Sequence, residues 1–163
     1  MENEIRLIRK TRFLTAIFMA GLFVSGATAI PLVSETNRLA NFLNASDKSS
    51  AAAEWLGRVH SALVQTQSQF PFLFYGTDWL AFGHFVIAIA FIGALREPVR
   101  NRWLFDFGLI ACALVIPYAL IFGAVRGIPF WWRIIDCSFG ILGFVLLWFC
   151  RKWARELESS LKS

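Results

Sequence analysis

Charged residues are scarce in this chain. Only 17% of its 163 residues are Asp, Glu, Lys or Arg, while 57% are apolar, whereas soluble domains carry about 25% charged residues. This shortage excludes a soluble globular domain and a highly charged disordered tail. The seventeen Phe and seven Trp residues suit a membrane protein, because Trp collects at the boundary between lipid and water.

Sequence motifs of common catalytic and metal sites are also missing. The three cysteines, Cys112, Cys137 and Cys150, stand singly inside apolar runs. This spacing argues against a zinc site or a thiol–disulfide exchanger and favours small apolar core residues. The chain has no Gly-rich phosphate loop, no His-Glu-x-x-His and no Gly-x-Ser-x-Gly, the motifs of nucleotide, zinc and serine-hydrolase chemistry. The sequence therefore assigns no catalytic residue, no metal ligand and no cofactor.

The chain does contain four long apolar runs, at residues 13–33, 78–95, 103–125 and 129–150. About 20 helical residues cross the ~30 Å hydrocarbon layer, since a helix rises 1.5 Å per residue. Each run is therefore predicted to span the bilayer, with Pro117 as a kink in the third. The predicted fold is an all-α integral membrane four-helix bundle in one domain, residues 1–163, with a short amphipathic helical loop outside the cytoplasm.

That loop, residues 34–77, is the only sizeable polar segment. Leu39, Phe42 and Leu43 share one helical face, and Trp55, Leu56, Val59 and Leu63 share another. The spacing predicts two short amphipathic helices that lie on the membrane surface or over the mouth of the bundle. Asp47, Ser49 and Ser50 can cap the second of them, and Thr77 or Asp78 can cap the second span.

The basic residues are confined to particular segments. Eleven of the sixteen lie in three segments that four spans place on one side: Arg6, Arg9, Lys10, Arg12, Arg96, Arg100, Arg102, Arg151, Lys152, Arg155 and Lys162. Cytoplasmic loops carry such an excess of Lys and Arg. This distribution predicts a plasma (inner) membrane protein with both termini in the cytoplasm, and it explains the net charge of +5 without a nucleic-acid partner.

The first run has a second interpretation. Its basic start, its apolar stretch and Ala27-Thr28-Ala29 resemble a secretory signal with an Ala-x-Ala cleavage site. The apolar stretch continues through Ile30 and Val33, which is long enough to span, so a retained anchor is the favoured interpretation.

Ionisable and polar side chains inside the spans mark the candidate site, because their burial in lipid is costly. The candidate ligand-binding residues are Asp78, His84, Tyr118, Arg126, Arg133 and Asp136. Counted from the ends of their spans, His84, Tyr118 and Asp136 lie at one level, roughly 9 to 12 Å below the outer surface. An ion pair between Arg133 and Asp136 is expected. Asp106, near Arg102, is predicted to be a separate structural anchor.

Three functions fit this arrangement. The favoured one is non-enzymatic: a pocket near the outer leaflet that holds a lipid, a quinone-like molecule or another small amphiphile. The second is an accessory subunit of a larger membrane complex or homo-oligomer, in which the polar residues are structural. The third is a membrane enzyme that uses His84 and Asp136 as an acid–base pair.

Overall fold

The computed structural model describes residues 2–46 and 50–162, and all of its regular structure is helical. The helices are α1 (Glu2–Ala29), α2 (Leu32–Ser46), α3 (Ala51–Gln69), α4 (Tyr75–Arg96), α5 (Arg102–Val125) and α6 (Phe130–Lys162), with a 3-10 turn at Pro71–Phe74. Four helical segments are long and apolar enough to cross a membrane: Glu2–Ala29, Pro71–Arg96, Arg102–Val125 and Phe130–Leu161. The all-α membrane fold is confirmed.

The helix ends differ from the prediction in the first half of the chain. Helix α1 ends at Ala29 rather than Val33, and α2 begins at Leu32. Pro31 explains the break, since proline disfavours a helical conformation in the residue before it. The predicted cap at Thr77 or Asp78 is wrong, because α4 already begins at Tyr75 and the Thr77 hydroxyl donates to the Phe74 carbonyl at 2.8 Å.

The chain forms two compact units, residues 1–21 with 88–163, and residues 22–87. The first unit contains the start of α1, the end of α4, and all of α5 and α6. Its core is built around the buried side chains of Phe91, Phe105 and Leu147. Phe18 of α1 packs against Phe91 with ring centroids 4.9 Å apart, and Thr15 is fully buried. All four helices thus contribute to one core.

Helices α5 and α6 approach each other closely because their contact residues are small. A Cβ atom on Gly140 would lie 2.6 Å from the Cys112 carbonyl oxygen, and one on Gly143 would lie 2.8 Å from the Cys112 sulfur. Membrane helices pack through such small residues, since lipid offers no hydrophobic drive for their association. The small residues of α6 therefore face α5.

The end of this unit that carries the basic residues is held by arginine and asparagine side chains. Arg12 of α1 donates to the carbonyl oxygens of Leu95 and Arg96 at 3.0 and 2.8 Å. The Asn101 amide donates to the carbonyls of Gly93 and Glu97 at 3.0 and 3.2 Å. Arg12 satisfies two carbonyls that the end of α4 leaves unpaired. Asn101 instead adds a second hydrogen bond to two carbonyls that already accept the backbone N–H groups of Glu97 and Asn101. Asn101 caps the end of α4 and makes no side-chain cap for α5.

Two ion pairs join α5 to α6 at the same end. Asp106 pairs with Arg151, and Arg102 pairs with Glu158. The sequence predicted that Asp106 lies near Arg102, one turn away on the same helix. The structure instead gives each of the two residues a partner on α6. Because these pairs cross between helices, they fix the position of α6 along α5.

The second unit contains α2 and α3, the two short helices that the amphipathic patterns predict, and they pack against each other as a hairpin. Ala40, Ala53 and Leu56 are buried in it, while Leu39 and Phe42 remain exposed. Ser50 caps α3 by accepting the Ala53 N–H at 3.2 Å. The other two predicted caps, Asp47 and Ser49, lie outside the described residues.

Candidate functional site

The candidate residues of the first unit lie around the turn between α5 and α6. Arg126 ends α5, and Gly127 adopts a positive φ of 69°. The Ile128 N–H bonds the Gly123 carbonyl at 2.8 Å and the Gly127 N–H bonds the Ala124 carbonyl at 3.1 Å. This is the Schellman arrangement, which closes a helix with glycine in the left-handed region. The tight turn brings the first residues of α6 beside the last turns of α5.

Arg133 extends from α6 across α5. Its Nη1 donates to the Leu120 carbonyl at 3.1 Å, and its guanidinium carbon lies 5.3 Å from the centre of the Phe130 ring. The side chain crosses α5 at Gly123, where an added Cβ would lie 2.5 Å from the Arg133 Cδ. Its buried Nε has no hydrogen-bond partner within the described chain. The guanidinium is thus held by one carbonyl and one aromatic face, and its Nη2 makes no hydrogen bond with the described residues.

Asp136 does not form the expected ion pair. In the described part of the chain its carboxylate makes no ion pair and no hydrogen bond, with Arg133 or with any other side chain. The prediction fails because Arg133 is drawn toward α5, where Gly123 leaves room and Leu120 supplies an acceptor. Asp136 is half-buried, so its carboxylate requires a hydrogen-bond donor or a proton from elsewhere.

Tyr118 lies on the surface of this unit. Its side chain is 65% exposed, and its ring packs against Phe122 with centroids 4.6 Å apart. The Tyr118 hydroxyl makes no hydrogen bond with the described residues, and Arg126 is likewise exposed. The side chains of Tyr118 and Arg126 therefore both lie on the surface of the first unit.

Asp78 and His84 belong to the second unit, on α4. Asp78 is exposed in the first turn of the helix. His84 Nδ1 lies 2.8 Å from the Leu80 carbonyl oxygen. Because a carbonyl only accepts hydrogen bonds, Nδ1 carries the proton that it donates, and Nε2 of a neutral ring is left as an acceptor. His84 therefore presents a proton-accepting nitrogen.

The first helix fixes the position of His84. A Cβ atom on Gly26 would lie 2.9 Å from the Phe85 ring and 3.0 Å from both the Ala81 carbonyl oxygen and the His84 Cβ. Glycine at this position lets α1 approach α4 at the turn that carries His84. The roles of Gly26 and Gly123 were not predicted, because a single glycine in a helix does not reveal which side chain of a neighbouring helix packs against it.

The structure brings Arg133 to α5, and one turn further along α6 the Asp136 carboxylate has no partner in the part of the chain that the structure describes. The meeting of the α4 residues with those of α5 and α6 at one level stays a prediction. Among the described residues, no group of three or more His, Cys, Asp or Glu side chains could hold a metal ion.

Replacing Asp136 by Asn tests its unpaired state, and Asp106→Asn is the matched control. Asp136→Asn should leave the free energy of unfolding unchanged or raise it, because a half-buried charge without a partner is removed. Asp106→Asn should lower it by about 1 kcal/mol, because Arg151 loses its ionised partner. Reversible unfolding of the delipidated protein in mixed micelles measures both values. A loss at Asp136 as large as that at Asp106 would show that the bundle itself supplies Asp136 with a partner.

Comparison of the chain with protein-family models, with curated proteins and with solved structures gives no match.

Proposed function

We propose that this membrane protein holds a lipid, a quinone-like molecule or another small amphiphile at the turn end of α5 and α6, near the outer leaflet. The arrangement of Arg133 carries the proposal. Its guanidinium is positioned by the Leu120 carbonyl and the Phe130 ring, and its Nη2 is left to bind a ligand. Guanidinium groups bind phosphate, carboxylate and carbonyl oxygens with directed hydrogen bonds.

The neighbouring residues complete a head-group site of mixed charge. Arg126 adds a second exposed cation, and the half-buried Asp136 carboxylate is free to accept from a hydroxyl or an ammonium group. Phe122, Phe130 and Tyr118 offer an aromatic surface to the apolar body of the ligand. In this proposal Asp78 and His84 reach the same level from α4, with His84 Nε2 accepting a further hydrogen bond.

Tyr118 supports a second candidate, the accessory subunit or homo-oligomer. A phenol that is 65% exposed two turns from the end of a membrane helix has no water to bond within the hydrocarbon layer. A neighbouring membrane helix could accept its hydrogen bond and cover the apolar face of α5 around Ile121 and Leu114, which are 58% and 61% exposed. In that case the polar residues would hold a partner subunit.

Retention of a native amphiphile distinguishes these functions. Full-length protein is extracted in a mild detergent and weighed intact by native mass spectrometry, with Arg126→Gln/Arg133→Gln beside the wild type. We expect a co-purified amphiphile with an anionic or carbonyl head group in the wild type. Its occupancy should fall about tenfold or more in the double variant, because charge-assisted hydrogen bonds are lost.

Arg38→Gln is the control for that experiment. Arg38 is also an arginine of the extracytoplasmic half of the predicted topology, but it pairs with Glu35 on the exposed surface of α2. Its replacement should leave occupancy unchanged. Wild-type protein that carries only bulk lipid, in the same amount as the double variant, would contradict the amphiphile site. If a stoichiometric protein partner co-purifies instead of an amphiphile, the accessory-subunit function is favoured.

The orientation of the protein is part of the proposal and follows from the positive-inside bias. Ser61 on α3 and Ser159 on α6 are both exposed serines whose hydroxyls bond their own helix. We expect Ser61→Cys to react with a membrane-impermeant maleimide in intact cells, and Ser159→Cys to react only after permeabilisation. The three native cysteines are buried, so background labelling should be low. The reverse pattern would contradict cytoplasmic termini.

A further inference from the structure

A groove with a volume of about 430 Å³ lies at the basic end of the first unit, far along the helices from Arg133. Its floor is apolar and comes from three segments: Ile8 of α1, Val99 of the α4–α5 connection, and Leu157 and Leu161 of α6. A second groove beside Ile5 shares Ile8 and Arg12 with the first. Together they form one surface, which we name the basic-end groove.

The groove reaches beyond the lipid. The adjacent Trp131 and Trp132 mark the opposite membrane boundary on α6, and about 20 residues further along, near Lys152, the helix leaves the ~30 Å hydrocarbon layer. Leu157 and Leu161 then lie roughly 8 and 14 Å past that boundary. The head-group layer adds only about 5 to 8 Å on each side. On this count Leu161, which is 72% exposed, lies in the aqueous phase, and Ile5, which is 53% exposed, lines the adjoining part of the groove.

The rim of the groove is positively charged. Arg12, Arg96 and Arg100 line it together with Glu4 and Glu97, and Arg9 lines its second part. Glu97 is engaged by Arg100 at 3.3 Å. Within the described residues neither Arg9 nor Arg96 forms an ion pair. The free charge at the groove is thus cationic, and its complement is a ligand that carries carboxylates.

We propose that the basic-end groove binds an amphipathic helix of a partner protein, with an apolar stripe on the groove floor and acidic residues against Arg9 and Arg96. Helices bind to apolar grooves in this way, through side chains at i, i+3, i+4 and i+7. A lipid acyl chain would have to leave the hydrocarbon layer to reach Leu161. A second copy of this chain would place like charges against each other, which is costly at an interface.

Site-specific photocrosslinking in cells tests this proposal on the full-length protein. A photoreactive amino acid replaces Ile5 or Leu161, and the crosslinked peptide is identified by mass spectrometry. Both positions are exposed, so the replacement should not disturb the fold. We expect both to capture the same acidic amphipathic segment of another protein. The control position is Ser159, which is exposed on another face of α6 and should not capture that segment.

The crosslink yield of a variant without the two cationic side chains is the second measurement. Arg9→Gln/Arg96→Gln should lower the crosslink yield about tenfold, because the carboxylates of the partner lose their complement. Arg38→Gln on α2 should leave it unchanged. The proposal is overturned by capture of lipid alone, by capture of a second copy of this chain, by equal capture at Ser159, by no capture, or by a yield that the double replacement does not change.

Discussion

The close approach of α5 and α6 is the contact on which the rest of the first unit depends. Gly140 and Gly143 lie against Cys112 without room for a Cβ. The short distance between the two helices lets Arg133 reach the Leu120 carbonyl at one end of the helix pair. At the other end it lets Asp106 and Arg102 reach Arg151 and Glu158. In a membrane, where burial of apolar surface does not drive helices together, such contacts decide which faces meet.

The two ends of the helix pair differ chemically because their polar residues are used differently. At the basic end, Arg12 satisfies the last carbonyls of α4 and Asn101 reinforces the turn that follows them, so those side chains stabilise the bundle. At the turn end, Asp136 has no partner among the described residues, and the Arg133 guanidinium bonds a single carbonyl there. Unsatisfied polar groups at membrane depth are costly unless a ligand or partner bonds them, which is why the proposed function lies at the turn end.

Composition was sufficient to predict the four spanning helices, because length and apolarity decide which segments a membrane can accept. Periodicity predicted the two short helices α2 and α3 but not their packing against each other. Neither composition nor periodicity could predict side-chain partners. Arg133 lies one helical turn from Asp136 in sequence, yet it bonds across to α5 because Gly123 leaves space there. Asp106 likewise bonds Arg151 rather than its helical neighbour Arg102. These choices depend on helix rotation, which the apolar runs do not specify.

The proposed amphiphile site includes the expectation that polar side chains from α4, α5 and α6 meet at one level. Paired cysteines at positions 84 and 136, joined by a short bifunctional thiol reagent, test it most directly, with cysteines at Phe23 and Phe85, whose ring centroids are 5.0 Å apart, as the positive control. We expect an intramolecular crosslink for both pairs in the native membrane. Crosslinking of the control pair alone would contradict this expectation, and the site at Arg133 and Asp136 would then not include His84.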